Sequence, residues 1–359
     1  MPDQQPADLR QRRADLYRAY ETPDQAWTSL ARFAEETGAT IRVYVVLSAM
    51  EAQAILVQLA RCAVSVHTAD VNQAGNVFSL RLSRQWGRAH RHESSGQVLC
   101  VRSMHPAVYH LISDFEGDFW RNVVRYALTR TYPQLSQPSL STNEIRDLLE
   151  RVARRFGASP AGLRVTQLGY SSRIPDPNAR RARDMERTWT DLSIEGAFRQ
   201  AEEEDAVVTR AEFEVLAERG PTCRGYVSYD GEVRFWGGCT VLHEEILEPI
   251  ASAASATYRK MDGRERVQAH GYASRPFFIE FAADLLAKTD ERKRLLAALG
   301  RMANTSQSVI HANPYLHVSI LDYIEGTSCD LYVLSGNRIS IVPQTQTSAT
   351  SLTRLYTHI

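Results

Sequence analysis

The chain has 359 residues, of which 43% are hydrophobic and 23% are charged. These values are those of folded proteins and exclude a chain that is disordered throughout, while the length predicts two or three domains. Lysine and arginine together number 42, as do aspartate and glutamate. This balance does not imply a general polyanion-binding surface, so any basic site must be local.

The cysteines and the lengths of the apolar runs indicate in which cellular compartment the protein is expected. The five cysteines are widely spaced and include no Cys-x-x-Cys pair, which is typical of reduced thiols in a cytoplasmic protein. We therefore expect Cys62, Cys100, Cys223, Cys239 and Cys329 to be unpaired. The polar N-terminus indicates no signal peptide, and no apolar run approaches the ~18 residues of a membrane span, so no membrane partner is expected.

The predicted elements divide the chain into four segments. In order, these are a helical N-terminal appendage (1–38), a first α+β unit (39–135), a helical linker with a second α+β unit (136–265) and a third α+β unit (266–359). Each unit shows the order strand, helix, strand, hairpin and helix, so we interpret the chain as one plan used repeatedly. The first and third units match most closely, because an Arg-rich insertion at 173–191 interrupts the second.

Helix starts and apolar periods predict the elements of the appendage and of the first unit. Two helices are predicted within residues 7–36, the second of them capped by Thr22. The first unit then begins with an apolar strand, Ile41–Leu47. The elements that follow are a helix from Ser48 to Arg61, strands at 64–71, 77–83 and 97–102, and a long helix at 106–131. The polar side of strand 77–83 either faces solvent or forms a binding surface.

The second unit follows a capping box, in which Ser141 is the cap and Glu144 lies three residues on. Its predicted elements are a helix to Phe156, a strand at 163–174, an irregular stretch at 175–189, a helix at 193–204, a strand at 207–216, a hairpin at 223–236 and a long helix at 241–261. The elements predicted for the third unit are a strand at 277–281, a helix at 289–302, a strand within 308–324 that Asn313-Pro314 interrupts, a hairpin at 329–343 and the start of a helix at 348–358.

Together these elements predict an α+β fold with curved antiparallel sheets covered by helices on one face. Their order resembles one half of a TATA-binding-protein-like fold, which also has a strand, a helix, antiparallel strands and a long helix. It is also similar to the strand–helix–three-strand unit of sliding clamps. Both resemblances cover topology only and no sequence motif matches, so they imply nothing about function. The alternative is an α+β protein without internal repeats.

The insertion at 173–191 is the strongest charged feature of the sequence. It carries five arginines beside an aromatic residue, namely Arg173, Arg180, Arg181, Arg183, Arg187 and Trp189. Guanidinium groups suit phosphate oxygens and aromatic rings suit unstacked bases, so this composition predicts contact with nucleic acid. The alternative is a solvated Arg/Asp surface or a segment that packs on a neighbouring unit.

The loop at 84–92 is a second basic feature of the same kind. It contributes four candidate nucleic-acid-binding residues, namely Arg84, Trp86, Arg88 and Arg91. The loop joins two strands and is therefore expected to project from the sheet. His90 and His92 lack further histidines or cysteines at ligand spacing, so we predict no metal site there.

Sequence signals for an enzyme are poor. The chain has no phosphate-binding glycine loop, no Gly-x-Ser-x-Gly and no His-Glu-x-x-His, and His243 has no second histidine at helical spacing. Carboxylates on predicted strands, such as Glu212, Glu214 and Glu280, leave a nuclease-like metal site as an alternative. We therefore expect no catalytic residue, no metal and no cofactor.

These observations predict a non-catalytic nucleic-acid-binding or scaffold subunit of a larger cytoplasmic assembly, which contacts phosphates through Arg-rich loops. DNA and RNA both stay open as partners, as do protein partners and self-assembly. The alternatives are a metal-dependent nuclease-type hydrolase and a pure protein–protein scaffold.

Overall fold

The computed structural model describes most of the chain, with several gaps. The described residues are 7–18, 20–61, 65–71, 76–87, 92–115, 117–131, 134–156, 162–172, 184–203, 206–217, 220–262, 267–268, 272–273, 276–312, 315–344 and 349–359. Within them the chain forms helices, antiparallel sheets of ten and five strands, and a two-stranded ribbon. The predicted α+β class with antiparallel sheets is therefore confirmed.

Helices and strands are numbered in chain order. The strands are β1 (Ile41–Leu47), β2 (Ser65–Val71), β3 (Val77–Trp86), β4 (His92–Arg102), β5 (Val108–Ser113), β6 (Leu163–Ser172), β7 (Asp184–Leu192), β8 (Ala206–Ala217), β9 (Gly220–Ser228), β10 (Glu232–Trp236), β11 (Val267–Gln268), β12 (Tyr272–Ala273), β13 (Phe277–Glu280), β14 (Thr305–His311), β15 (Leu316–Asp322), β16 (Thr327–Ser335) and β17 (Arg338–Pro343). The helices are α1 (Ala7–Leu16), α2 (Pro23–Thr37), α3 (Ala52–Arg61), α4 (Gly117–Phe119), α5 (Arg125–Thr131), α6 (Thr142–Arg155), α7 (Ile194–Glu203), α8 (Cys239–Leu242), α9 (Glu248–Asp262), α10 (Thr289–Leu299) and α11 (Ala349–His358). Two π-helical turns, Trp120–Val124 and His243–Leu247, join α4 to α5 and α8 to α9.

The chain divides into two compact units. The larger comprises Met1–Ser171 and Asp184–Ser255, and Ala256–Ile359 makes up most of the smaller. The larger unit contains a sheet of the order β2-β3-β4-β5-β1-β10-β9-β8-β6-β7, in which the pairing of β1 with β10 joins strands of the first two predicted units. The smaller unit contains a sheet of the order β13-β17-β16-β15-β14.

Two stretches of the chain share one strand order. Strand β1 is followed by α3 and by β2 to β5, and these strands lie in the order β2-β3-β4-β5-β1. Strand β13 is followed by α10 and by β14 to β17, which lie in the same order, β14-β15-β16-β17-β13. The middle stretch differs, because its first strand, β6, lies next to β8 rather than next to β10. The count of three repeated units therefore stays a prediction.

The turn and capping signals of the sequence form as predicted. The Ser141 hydroxyl accepts a hydrogen bond from the backbone N–H of Glu144, and the Glu144 carboxylate accepts one from the N–H of Ser141. Thr22 caps α2 by accepting from the N–H of Gln25. Gly231 in the β9–β10 turn has a φ of 76°, the left-handed backbone that glycine adopts without strain.

One face of the sheet formed by β1 to β5 packs on α3 and on the α4–α5 helix. Side chains from both layers form a continuous apolar core, which includes Tyr44, Phe78, Leu80, Trp120 and Leu128. Each of these is removed from water, so their burial is a main source of stability for the larger unit.

Helical residues also cover the opposite face of these strands. Trp27 of α2 contacts His110 of β5, and the side chain of His110 points away from those of its neighbours Tyr109 and Leu111, which belong to the first core. Ser79 and Ser83, on the polar side of β3, are buried. Helices thus lie on both faces here, whereas the sequence predicted one face, and these two serines do not face solvent.

In the smaller unit the five-stranded sheet packs its helices on one face. The core contains residues of α10, α11 and alternating strand positions, among them Leu295, Leu352, Val318, Leu331 and Ile341. The intervening strand residues are half-buried or exposed. This unit therefore agrees with the prediction of helices on one face.

The largest error among the predicted elements is the helix at 106–131. Its first part is the strand β5, and the helix begins only at Gly117. All six residues of β5 are buried, so the strand has no polar alternation and its apolar run cannot be distinguished by period from a helix.

Two smaller predictions were also wrong. The strand predicted within 308–324 is two strands, β14 and β15, which pair antiparallel on either side of the Asn313-Pro314 break. The end of the stretch predicted to be irregular forms β7, which lies at the edge of the ten-stranded sheet. Charged residues are common in edge strands, because they oppose pairing with further chains. The charged residues of β7 obscured the apolar alternation by which a strand is recognised in the sequence.

Candidate functional site

The end of the β3–β4 hairpin carries a stack of cations and aromatic rings. Arg84 Cζ lies 3.3 Å from the ring centroid of Tyr126 and 5.4 Å from that of Trp86. The rings of Trp86 and His92 stack with centroids 5.8 Å apart, and Arg130 Cζ lies 5.4 Å from the Tyr126 centroid. We call these five residues the Arg84 strip. His92 and Arg130 are exposed, and the other three are half-buried.

The fold positions this strip through strand pairing and helical spacing. Strands β3 and β4 stay paired until Trp86 and His92 face each other, and alternation places Arg84 on the same side of β3 as Trp86. Tyr126 and Arg130 lie four residues apart on α5 and therefore on one face of that helix. Arg84 Nη1 donates a hydrogen bond of 2.7 Å to the carbonyl oxygen of Asn122, which fixes the guanidinium against the helix.

The structure therefore brings together two of the predicted site residues, Arg84 and Trp86. The loop predicted at 84–92 is shorter than expected, because both residues belong to β3 and His92 belongs to β4. Tyr126 and Arg130 were missed, since they come from a helix distant in sequence. Six predicted residues lie outside the described residues, namely Arg88, Arg91, Arg173, Arg180, Arg181 and Arg183.

The last two predicted residues, Arg187 and Trp189, lie in the edge strand β7. Arg187 is the partner of Leu168 in the pairing with β6. Two of the strand carboxylates considered for a nuclease-like site, Glu214 and Glu280, lie beside arginines. Glu214 lies 2.7 Å from Arg224, and Glu280 lies 3.6 Å from Arg338.

A second cluster lies between β5 and the π-helical turn of the larger unit. One ligand atom each of His110, His243 and Glu248 lies within 4.8 Å of the others, and this is the group among the described residues that could hold a metal ion. His243 Nε2 lies 3.4 Å from Glu248 Oε1, and His105 Nε2 lies 3.2 Å from Glu248 Oε2. We call these four residues the His110 cluster.

The π-helical turn explains why two of these side chains meet. The N–H of Glu248 bonds to the carbonyl oxygen of His243, five residues earlier, and this bond brings the two residues onto one side of the helix. In a regular α-helix, residues five apart point in different directions. Trp27 packs on the ring of His243 with centroids 4.1 Å apart and closes the cluster on the side of α2.

The electrostatics of the cluster follow from its burial. Burial lowers the pKa of His110 to about 3, and the neighbouring His243 adds to the effect, so the imidazole is neutral near pH 7. Both ring nitrogens of His110 are buried and have no hydrogen-bond partner among the described residues. The pKa of Glu248 is lowered, first by its contact with His243, so its carboxylate is ionised.

Sequence reasoning missed this cluster for a physical reason. His243 was dismissed because no second histidine follows at the spacing of an α-helix. The actual partners are a glutamate at a π-helical spacing and a histidine in β5, which had been predicted as helix. A spacing rule for regular helices cannot find either of them.

The half-exposed face of the five-stranded sheet carries a row of rings. The rings of His317 and Tyr332 stack with centroids 4.2 Å apart, and those of His311 and His317 lie 6.4 Å apart. Asp330 in β16 lies 3.5 Å from His317 Nε2. Arg338 lies over the ring of Phe278, with 3.7 Å from Cζ to the centroid. This row is a second surface of rings and charges, and it belongs to the smaller unit.

No family model matches the chain, and no curated protein matches it significantly in sequence. Across the helices that the structure describes, none has both the length and the apolar character needed to cross a membrane.

Proposed function

We propose that this chain is a non-catalytic subunit of a larger cytoplasmic assembly that binds single-stranded nucleic acid, with the Arg84 strip as one of its contact surfaces. The observation that supports the proposal most directly is the alternation of guanidinium groups and rings along the strip. The predicted hairpin residues Arg88 and Arg91 lie between Trp86 and His92 in the sequence and would extend it, and the Arg-rich insertion would be a separate contact surface.

The chemistry of the strip suits an extended nucleic-acid strand. Proteins that bind single strands combine positive charge, which tracks phosphates, with aromatic rings, on which bases stack. Arginine stacks on rings and presents a planar fork of donors to phosphate oxygens, so one residue serves both needs. Because the chain has no net charge, such a surface would attract a polyanion only locally.

Two other functions remain as alternatives. A metal-dependent hydrolase would need carboxylates clustered in a cleft, whereas Glu214 and Glu280 each lie beside an arginine. A pure protein–protein scaffold would use the same assembly without nucleic acid. The exposed apolar residues Val309 and Ile310 in the edge strand β14 favour a protein partner over no partner at all.

The test is fluorescence anisotropy with single-stranded DNA and RNA oligonucleotides at several salt concentrations. The variants are made at Trp86 and Arg130 and avoid Arg84, whose hydrogen bond to Asn122 also serves the fold. Trp86→Ala should weaken binding by about 1–3 kcal/mol, the usual value of one base-stacking ring. Arg130→Ala should lower the slope of log affinity against log salt by about 0.7, the value for one phosphate contact on a single strand.

Arg146→Ala is the matched control, because Arg146 lies on α6 and pairs with Glu202 outside the strip. It should bind like the parent. A parent chain without affinity for either oligonucleotide at low salt would overturn the proposal, and recovery of a stoichiometric protein partner would then favour the scaffold.

A further inference from the structure

We propose that His110, His243 and Glu248 bind a divalent transition-metal ion of the zinc type, with His105 orienting the Glu248 carboxylate. This site is independent of the proposed nucleic-acid contact. It lies in the larger unit, where β5, the π-helical turn and the start of α9 supply one ligand each.

The donor set and its spacing fit such an ion. Two imidazoles and one carboxylate suit zinc and its neighbours, whereas Ca²⁺ and Mg²⁺ prefer oxygen ligands alone. Zinc bonds of ~2.0–2.2 Å at tetrahedral angles place two ligand atoms roughly 3.4 Å apart. His243 Nε2 and Glu248 Oε1 are 3.4 Å apart, so an ion would require little movement of this pair.

The state of His110 points independently to a ligand. Its ring is fully buried, and neither nitrogen finds a hydrogen-bond partner among the described residues. Leaving a buried polar group unsatisfied is unfavourable, and a bound ion is one of the explanations for such a group.

The surroundings complete the arrangement of a metal site. His105 lies 3.2 Å from Glu248 Oε2, the carboxylate oxygen that does not face His243, and such outer partners commonly fix the direction of a metal-ligating group. The side chains of His105 and Glu248 are 25% and 23% exposed, so an ion could enter from that side. Three protein ligands leave a fourth position for water or for another small ligand.

The experiment uses the full chain without a polyhistidine tag, freed of metal by dialysis against a chelator. Zn²⁺ affinity is measured by competition with a chromophoric chelator, and Co²⁺ is added separately as a spectroscopic probe. We expect one ion per chain, a visible Co²⁺ absorption band of a low-coordinate site, and a melting temperature that rises with Zn²⁺ concentration.

Two ligand variants and one control locate the site. Glu248→Gln preserves the shape of a partly exposed side chain and should therefore fold, and it should weaken Zn²⁺ binding by at least about 10-fold. His243→Gln should do the same. The matched control is Glu244→Gln, because Glu244 lies on the same π-helical turn, is exposed and pairs with Arg155. It should bind Zn²⁺ like the parent.

Circular dichroism of each variant separates loss of the site from loss of the fold. If Glu248→Gln does not fold, the Co²⁺ spectrum and the Zn²⁺-dependent melting temperature of the parent still test the proposal. A parent that shows neither a Co²⁺ band nor a Zn²⁺-dependent melting temperature would overturn the proposal. Equal Zn²⁺ affinities of folded Glu244→Gln and Glu248→Gln would overturn it as well. Loss of nucleic-acid binding in the strip variants would have no bearing on either result.

Discussion

A buried hydrogen bond of 3.2 Å joins Tyr44 Oη in β1 to Glu232 Oε2 in β10. Trp120 Nε1 donates to the other carboxylate oxygen at 3.0 Å, and its ring stacks on that of Tyr44 with centroids 4.7 Å apart. Arg234 Nε lies 2.8 Å from the same oxygen as Trp120. One carboxylate thus accepts three donors where β1 meets β10, and it ties together strands that the sequence assigned to separate units.

We predict that Glu232→Ala lowers the free energy of unfolding by about 3 kcal/mol, because buried donors lose their acceptor at once. Urea unfolding followed by circular dichroism measures the change. Glu214→Ala is the control, since Glu214 pairs with the exposed Arg224 and should cost less than about 1 kcal/mol. Similar losses of unfolding free energy in the two variants would show that the Glu232 carboxylate contributes no more to stability than an exposed ion pair does.

The cap of α6 gives a second prediction. Ser141 and Glu144 exchange hydrogen bonds in a capping box, so Ser141→Ala should lower stability by about 1 kcal/mol. Ser141→Thr keeps the hydroxyl and should lose much less. A Ser141→Ala protein with the urea midpoint of the parent would mean that solvent replaces the cap without cost.

The predictability of the fold followed the polarity of each element. Strands with one buried and one more exposed face, such as β16 and β17, were recognisable by their alternation, and so were the hairpin turns. Strand β5 was not, because the sheet is covered on both sides there and every residue of the strand is buried. Sequence periodicity reflects the difference in polarity between the two faces of a strand. A strand with two buried faces lacks this difference, so periodicity does not identify it.

The candidate sites show the same limit in three dimensions. Arg84 and Trp86 were predicted together because a hairpin is local in sequence. Tyr126 joins them only through packing of α5 on the sheet, and His110 meets His243 only through a strand and a π-helical turn. Contacts of this kind depend on tertiary structure, so no residue spacing in the sequence predicts them.

The thiols provide a third prediction. Cys100, Cys223, Cys239 and Cys329 are free and buried, and burial raises the pKa of Cys223 to about 11 and those of Cys239 and Cys329 to about 12. A raised thiol pKa leaves little thiolate at pH 8, and the thiolate is the reactive form. These four should react slowly with a thiol reagent in the folded protein.

Titration of the denatured, non-reduced protein should find five free thiols. The fifth is Cys62, which lies outside the described residues. A count of three or one would reveal a disulfide. Rapid reaction of several thiols in the folded chain at pH 8 would contradict the burial of the four.

The last prediction concerns the Arg-rich insertion. Replacement of Arg180, Arg181, Arg183 and Arg187 by Ala should flatten the salt dependence of nucleic-acid binding, by about 0.7 for each phosphate that the variant no longer binds, and should weaken binding to all sequences alike. The melting temperature of a triple variant that keeps Arg187 should change little, because loop-closure entropy rises slowly with length and an insertion need not serve the fold. Arg187 lies in the edge strand β7, so its replacement also changes the sheet, and the triple variant avoids that effect. A triple variant that binds DNA and RNA like the parent would remove the insertion from the site, and one that unfolds would assign it a structural role instead.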